Sequence, residues 1–404
     1  MIPSRSSSLT LGLSVVLLAT LGASRASANE FTDAPDRPRI FKPSKRHIFG
    51  TQWSAPIVRR GFFRVVGDSL GTPGVAEKQG VVIVGTGEGE LRGYRLGTGE
   101  LLWTRDTKVP FLGPVTVIDE GDPFAVATQA DGLLLAFEIT TGEPRWESQL
   151  DGHSLAPARI AGERLLVTTV ENKVTALNIR NGERLWTAGR PKPTQLTVRG
   201  HSAPTLYQNA VFAGFSDGYV EAYALGDGRV LWSRPLSLGD ADFYDADADP
   251  VVVGDTLYVA SYPKGVFALR PEDGKTIWTI EVPSVTSLAA HKGTLMLGSA
   301  DGYFWGVDQT DGNLKYRVSL PKGNASRVQM SGDLALFTSG DAGLISIRPE
   351  NGEPLQATPL LGRPGGDPSV DGEFVAAIST RGYLYVMRRG AAGLITSRTN
   401  WARP

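Results

Sequence analysis

Few residues in this chain are placed to do covalent chemistry. There is no cysteine, which excludes thiol nucleophiles, disulfides and cysteine-ligated metals. The four histidines, His47, His153, His201 and His291, stand at least 48 residues apart, so no zinc-ligand spacing exists along the chain. A Gly-x-Ser-x-Gly nucleophile elbow is absent. Gly85-Thr86-Gly87-Glu88-Gly89 has the glycines of a dinucleotide loop, but a strand pattern follows where a helix would have to open. Carboxylates crowd the turns, where Asp and Glu serve structure, and no acid/base pair stands out. Recognition chemistry is better represented. The stretch Leu196-Thr197-Val198-Arg199 combines apolar anchors with a guanidinium, and Asp245-Ala246-Asp247-Ala248-Asp249 presents carboxylates at alternate positions. Such groups suit a small protein interface. The aspartate run also admits two plainer readings, a solvated loop or a weak calcium site. It lacks the internal glycine and the twelfth-position Glu of an EF-hand.

The elements that must position these groups follow from a repeat. An alternating apolar strand, a turn ending in Gly, and an aromatic four residues after that Gly recur along the chain. Copies end at Trp103, Trp146, Trp186, Trp232, Trp278 and Tyr316, 38 to 46 residues apart, and a degraded copy ends at Gln356. The period suits one four-stranded propeller blade, and 48 glycines suit its many tight turns. Trp53 reads as an outer strand without its own repeat, and the strands near residue 383 as inner strands lacking an outer one. Joining the two closes a ring and removes exposed edges. The expectation is an all-β, eight-bladed propeller of four-stranded antiparallel blades, closed by its N- and C-terminal strands. Seven blades is the alternative if the segment at Gln356 is too degenerate. The motif aromatics, Trp53 included, are read as packing between blades. Trp305 is read as core.

Arg5, the apolar run from Leu9 to Leu21 and Ala26-Ser27-Ala28 read as a secretory signal peptide over residues 1–28. The run is about 13 residues, against roughly 20 for a spanning helix. Residues 29–44 read as an extended tether, 45–390 as the propeller and 391–404 as a tail. A net charge of −1 gives no reason to expect nucleic acid as a partner.

The unit resembles the pyrroloquinoline-quinone-type propeller repeat, which serves enzymes and non-enzymes alike. Leu196 to Leu206 and Asp245 to Ala260 resemble the matching stretches of the outer-membrane assembly factor B family. That resemblance implies a non-enzymatic periplasmic scaffold without a cofactor. Its partner would be the periplasmic domains of the central barrel-assembly protein, with unfolded outer-membrane strands as a further hypothesis. Carried over by position, it implicates Leu196, Val198 and Arg199 in one loop and Asp245 and Asp247 in another, with Val198 where the family has leucine. Pro204 and Pro250 follow these loops one repeat apart, so both loops should lie side by side on one face. The family is acylated on a cysteine; here Ser24 stands in a comparable place, so membrane association would come through the partner. A peptide- or ligand-binding sensor is the alternative, and a quinone-dependent dehydrogenase the remote one.

Overall fold

The computed structural model describes residues 38–44, 47–58, 71–192, 202–236, 245–246, 248–321 and 323–390. Its strands form eight antiparallel sheets arranged as the blades of one closed ring. Blade 1 shows the pattern: Gly74–Ala76, Val81–Gly85, Glu90–Arg95 and Leu101–Asp106, each hydrogen-bonded to the next. Blades 2 to 7 repeat it in chain order, ending in the outer strands Pro144–Gln149, Arg184–Gly189, Val230–Pro235, Thr276–Ile280, Leu314–Ser319 and Pro354–Thr358. Among the described residues the sole helix is the single 3-10 turn Gly340–Ala342.

Blade 8 takes three strands from the C-terminal end, Ser369–Asp371, Phe374–Ser379 and Tyr383–Arg389. Its outer strand is Phe49–Pro56, paired antiparallel with Tyr383–Arg389. The ring therefore closes as the repeat arithmetic predicts, with eight blades and the Gln356 segment forming the outer strand of the seventh.

The middle strands are buried on both faces for a direct reason. Every residue of Val81–Gly85 is buried, because a neighbouring blade covers each face of the sheet. The buried side chains fall into one cluster per blade junction. At the closing seam, Val82, Val84 and Tyr94 of blade 1 pack on Ile378, Leu384 and Val386 of blade 8. At roughly 25 cal/mol per Å² of apolar area, these junctions supply the main cohesion of the ring.

The motif aromatics stitch the perimeter. Trp53 donates its indole N–H to Leu96 O at 2.7 Å, Trp103 to Ile139 O at 3.0 Å and Trp146 to Ile179 O at 3.1 Å. Trp186 donates to Leu225 O, Trp232 to Pro271 O, Trp278 to Gln309 O, and the Tyr316 hydroxyl to Pro349 O. Each acceptor belongs to the next blade. Each ring also lies over the turn glycine of that blade: a Cβ on Gly99, whose φ is +76°, would sit 2.6 Å from the Trp53 ring. Trp305 is buried in the junction of blades 5 and 6.

Gln356 takes the aromatic's place where no such turn exists. The blade that follows it is the composite blade 8, whose outer strand begins a new stretch of chain. Gln356 Oε1 accepts from Ile48 N at 2.6 Å and Phe49 N at 2.9 Å, and its Nε2 donates to Phe49 O at 2.8 Å. The degraded repeat is the clasp of the ring. Before it, Arg39–Ile40 adds to the outer strand of blade 6 in parallel register.

The first strands line the axis, where those of blades 1, 2, 3, 7 and 8 border an open cavity of about 270 Å³ at Val75, Thr116, Arg159, Arg327 and Asp367 among others. Side chains from distant blades meet there. Arg327 of blade 7 pairs with Asp249 at the start of blade 5 and with Asp367 at the start of blade 8, both at 3.0 Å. Arg159 of blade 3 reaches Asp249 at 3.5 Å. The axis is spanned at this level by an ionic brace.

Candidate docking face

The two stretches singled out in the sequence are outer-to-inner connections. Residues 193–201 lead from blade 3 into blade 4, and residues 237–247 lead from blade 4 into blade 5. Leu196, Val198, Arg199 and Asp247 lie outside the described residues. So do the signal segment 1–28, the tether up to residue 37 and the tail 391–404. The roots of both stretches are described, and they lie side by side.

Ser202 is pinned between blades: its carbonyl accepts from Thr168 Oγ1 at 2.7 Å, and its Oγ accepts from Gly214 N at 3.2 Å. Ala203 N donates to Asp249 Oδ1 at 2.7 Å, and Thr205 Oγ1 donates to Pro250 O at 2.5 Å. Asp245 is fully buried. Its carbonyl accepts from Tyr262 N at 2.9 Å, and Ala246 N donates to Phe215 O at 3.1 Å. The second stretch is thus wedged between blades 4 and 5 at Asp245–Ala246.

A polar network missed in the sequence supports the first stretch. Arg190, three residues before it, donates to Asp217 Oδ2 at 2.5 Å and Glu221 Oε1 at 2.8 Å and stacks 3.6 Å from the centre of the Tyr219 ring. Glu221 also accepts from Ser233 Oγ at 2.6 Å and from the Tyr223 hydroxyl. Burial alone would lower the Arg190 pKa, but Asp217 and Glu221 outweigh it and raise it. Burial, then the Glu221 carboxylate, pushes the Tyr223 hydroxyl far above the ordinary tyrosine range. The available signal was a Glu inside the apolar strand Tyr219–Ala224, a position that only a partner makes tolerable.

The axial brace was missed too, and its signal is subtler. Asp249-Pro250 and Asp367-Pro368 occupy repeat positions where other blades have Gly113-Pro114, Ala156-Pro157 and Ala203-Pro204. A carboxylate where blades 2 to 4 place a small residue marks a specific contact. Burial opposes the charge of Arg327, yet Asp249 and Asp367 hold its pKa above the ordinary value. Arg159 shifts the other way, chiefly through burial, with Arg327 adding repulsion. Among the described residues no group of three or more His, Asp or Glu is placed to hold a metal ion.

The family model for outer membrane protein assembly factor BamB matches residues 87–313 and 238–404, together well over half of the chain. The chain belongs to the BamB family. BamB of Moranella endobia is 24% identical over 325 residues, covering 76% of this chain and 83% of its own. BamB of Shewanella oneidensis is 25% identical over 268 residues, covering 61% and 67%. Among solved structures, BamB from Moraxella catarrhalis superposes with a TM-score of 0.70 at 23% identity, over 84% of this chain and all of the other. The quinohemoprotein alcohol dehydrogenase of Comamonas testosteroni gives 0.63 at 13% identity, over 84% of this chain and 76% of its own. At these identities the structures speak for the fold alone. The same fold is thus found in a BamB structure and in an enzyme, so fold alone does not separate scaffold from catalyst.

Proposed function

We propose that this chain is a non-enzymatic periplasmic scaffold for outer-membrane protein assembly that docks on the periplasmic domains of the barrel-assembly protein. Membership of the BamB family carries the reading. Leu196, Val198, Arg199 and Asp247 supply the contacts; Asp245, expected among them, is buried and instead anchors its stretch between blades 4 and 5. The joined roots of the two stretches support a single face, since Ala203 and Asp249 share a hydrogen bond. With no cysteine for acylation, association with the membrane comes through the partner.

Calorimetric titration of the mature protein into the periplasmic domains of its own organism's barrel-assembly protein tests this. Saturable binding is expected, weakened by about 2 kcal/mol or more in folded Arg199→Glu and Asp247→Ala variants. No binding by the wild type, at concentrations where a micromolar complex must register, would overturn the docking role.

A second role rests on the perimeter. Arg39–Ile40 pairs along the outer strand of blade 6, so a blade edge can accept an extended segment. The outer strands of blades 3 to 5 expose Leu185, Val230, Leu231 and Ile277. These edges would receive unfolded outer-membrane strands by β-augmentation. Photo-crosslinking from position 231 to an unfolded outer-membrane protein should give an adduct that a Val230→Pro substitution abolishes.

A further inference from the structure

We infer that Asp249 is a positioning residue for the docking face, a claim that rests on the docking reading above. Asp249 is the last aspartate of the run Asp245–Asp249 and stands where the chain enters the inner strand of blade 5. Its side chain is only 12% exposed. Oδ1 accepts the amide of Ala203, the second residue after the stretch 193–201, while Asp249 itself is the second residue after Asp247. One carboxylate thus ties together the points at which both docking stretches rejoin the ring.

That carboxylate is itself oriented from across the axis. Arg327 donates to Oδ1 at 3.0 Å from blade 7, and Arg159 reaches Oδ2 at 3.5 Å from blade 3. Arg327 is fixed in turn, because its backbone N–H and its guanidinium both donate to Asp367, at 2.9 and 3.0 Å. Asp367 treats Arg327 N as Asp249 treats Ala203 N, so the amide-capping role alone is a repeated structural device. Asp249 differs in lying between the two docking stretches and in meeting a guanidinium at each oxygen. A carboxylate held this way has one position and one orientation, which sets the spacing of the two roots. On this proposal the ion pairs of Asp249 serve to fix that arrangement more than to add net stability.

The test reads binding and local exchange in the full-length mature protein. Asp249→Ala should weaken binding to the barrel-assembly periplasmic domains by about tenfold or more, and should speed amide exchange at Ala203 by a similar factor. Asp249→Asn keeps the Oδ1 acceptor and should restore slow Ala203 exchange and most of the affinity. Gln356→Ala, at the opposite seam, should lower the melting temperature yet bind as the wild type does. Wild-type affinity in Asp249→Ala, or a loss no greater than in Gln356→Ala at matched melting temperature, would overturn the proposal. Absence of wild-type binding would instead defeat the docking reading. In that case exchange separates the two failures: unchanged Ala203 protection in Asp249→Ala rejects the tie between the two roots as well, and lost protection leaves that tie standing while the docking role falls.

Discussion

The perimeter of the ring works because an aromatic and a glycine come from different blades. A ring lying flat on a turn leaves no room for a Cβ, and the turn's positive φ already disfavours other residues. Gly142 illustrates both constraints: φ is +72°, and a Cβ there would stand 2.5 Å from the Trp103 ring. Gly142→Ala should therefore lower stability by about 2 kcal/mol, measured by urea denaturation. Trp146→Ala, which empties a buried site and leaves Ile179 O without its donor, should cost about 3–5 kcal/mol. Gln356→Ala should cost about 2 kcal/mol, since it strands the backbone groups of Ile48 and Phe49 at the seam. Gln356→Trp should not rescue this loss. With no turn glycine opposite, the larger ring only overpacks the seam.

At the scale of elements, the connections between blades carry the polar chemistry and the strands carry the packing. Glu221 is an exception, a buried carboxylate within a strand made tolerable by Arg190. Removing the guanidinium with Arg190→Met would leave that carboxylate buried without its counter-charge, at a cost of about 3 kcal/mol by denaturant unfolding. His153, on the connection into blade 3, has its pKa held below the ordinary value of 6.5, mainly by burial, with Lys192 adding repulsion against the opposing pull of Glu171 and the Ala130 backbone. The folded state thus binds its proton less readily than the unfolded chain does. Its contribution to stability is complete above about pH 6.5 and is lost as the pH falls from there through the lowered folded value. Thermal melts on either side of that range should show a smaller acid-induced drop in His153→Gln than in the wild type.

For the molecule as a whole, closure is the decisive event. Phe49–Pro56 converts an open stack with a bare strand at Tyr383–Arg389 into a ring without that edge. A chain lacking everything through Pro56 should aggregate on refolding, whereas one lacking residues through Asp36 should refold as a monomer, read by light scattering and gel filtration. Across the centre, the Arg159–Asp249–Arg327–Asp367 brace links blades 3, 5, 7 and 8, so repeats far apart in the sequence are tied directly through the axis.

The repeat, the blade count and the closing strand were legible in the amino-acid order. A blade is built from local pairings, and its hairpin glycines, alternating strands and terminal aromatic recur at a nearly fixed period. Even the degraded motif at Gln356 kept the spacing while changing the residue. Its purpose emerged only when the ring brought residue 356 against residues 48 and 49. The same holds for Asp249, which in the sequence is one more acid in an acidic loop, and for Arg327, which is one more surface-type cation. Their pairing depends on the radius of a closed ring that places blades 5, 7 and 8 within an ion-pair distance of one another. Local pattern determines which elements form. Only closure of the ring determines which charges from distant repeats share the axis, because that distance is a property of the assembled ring and of no single repeat.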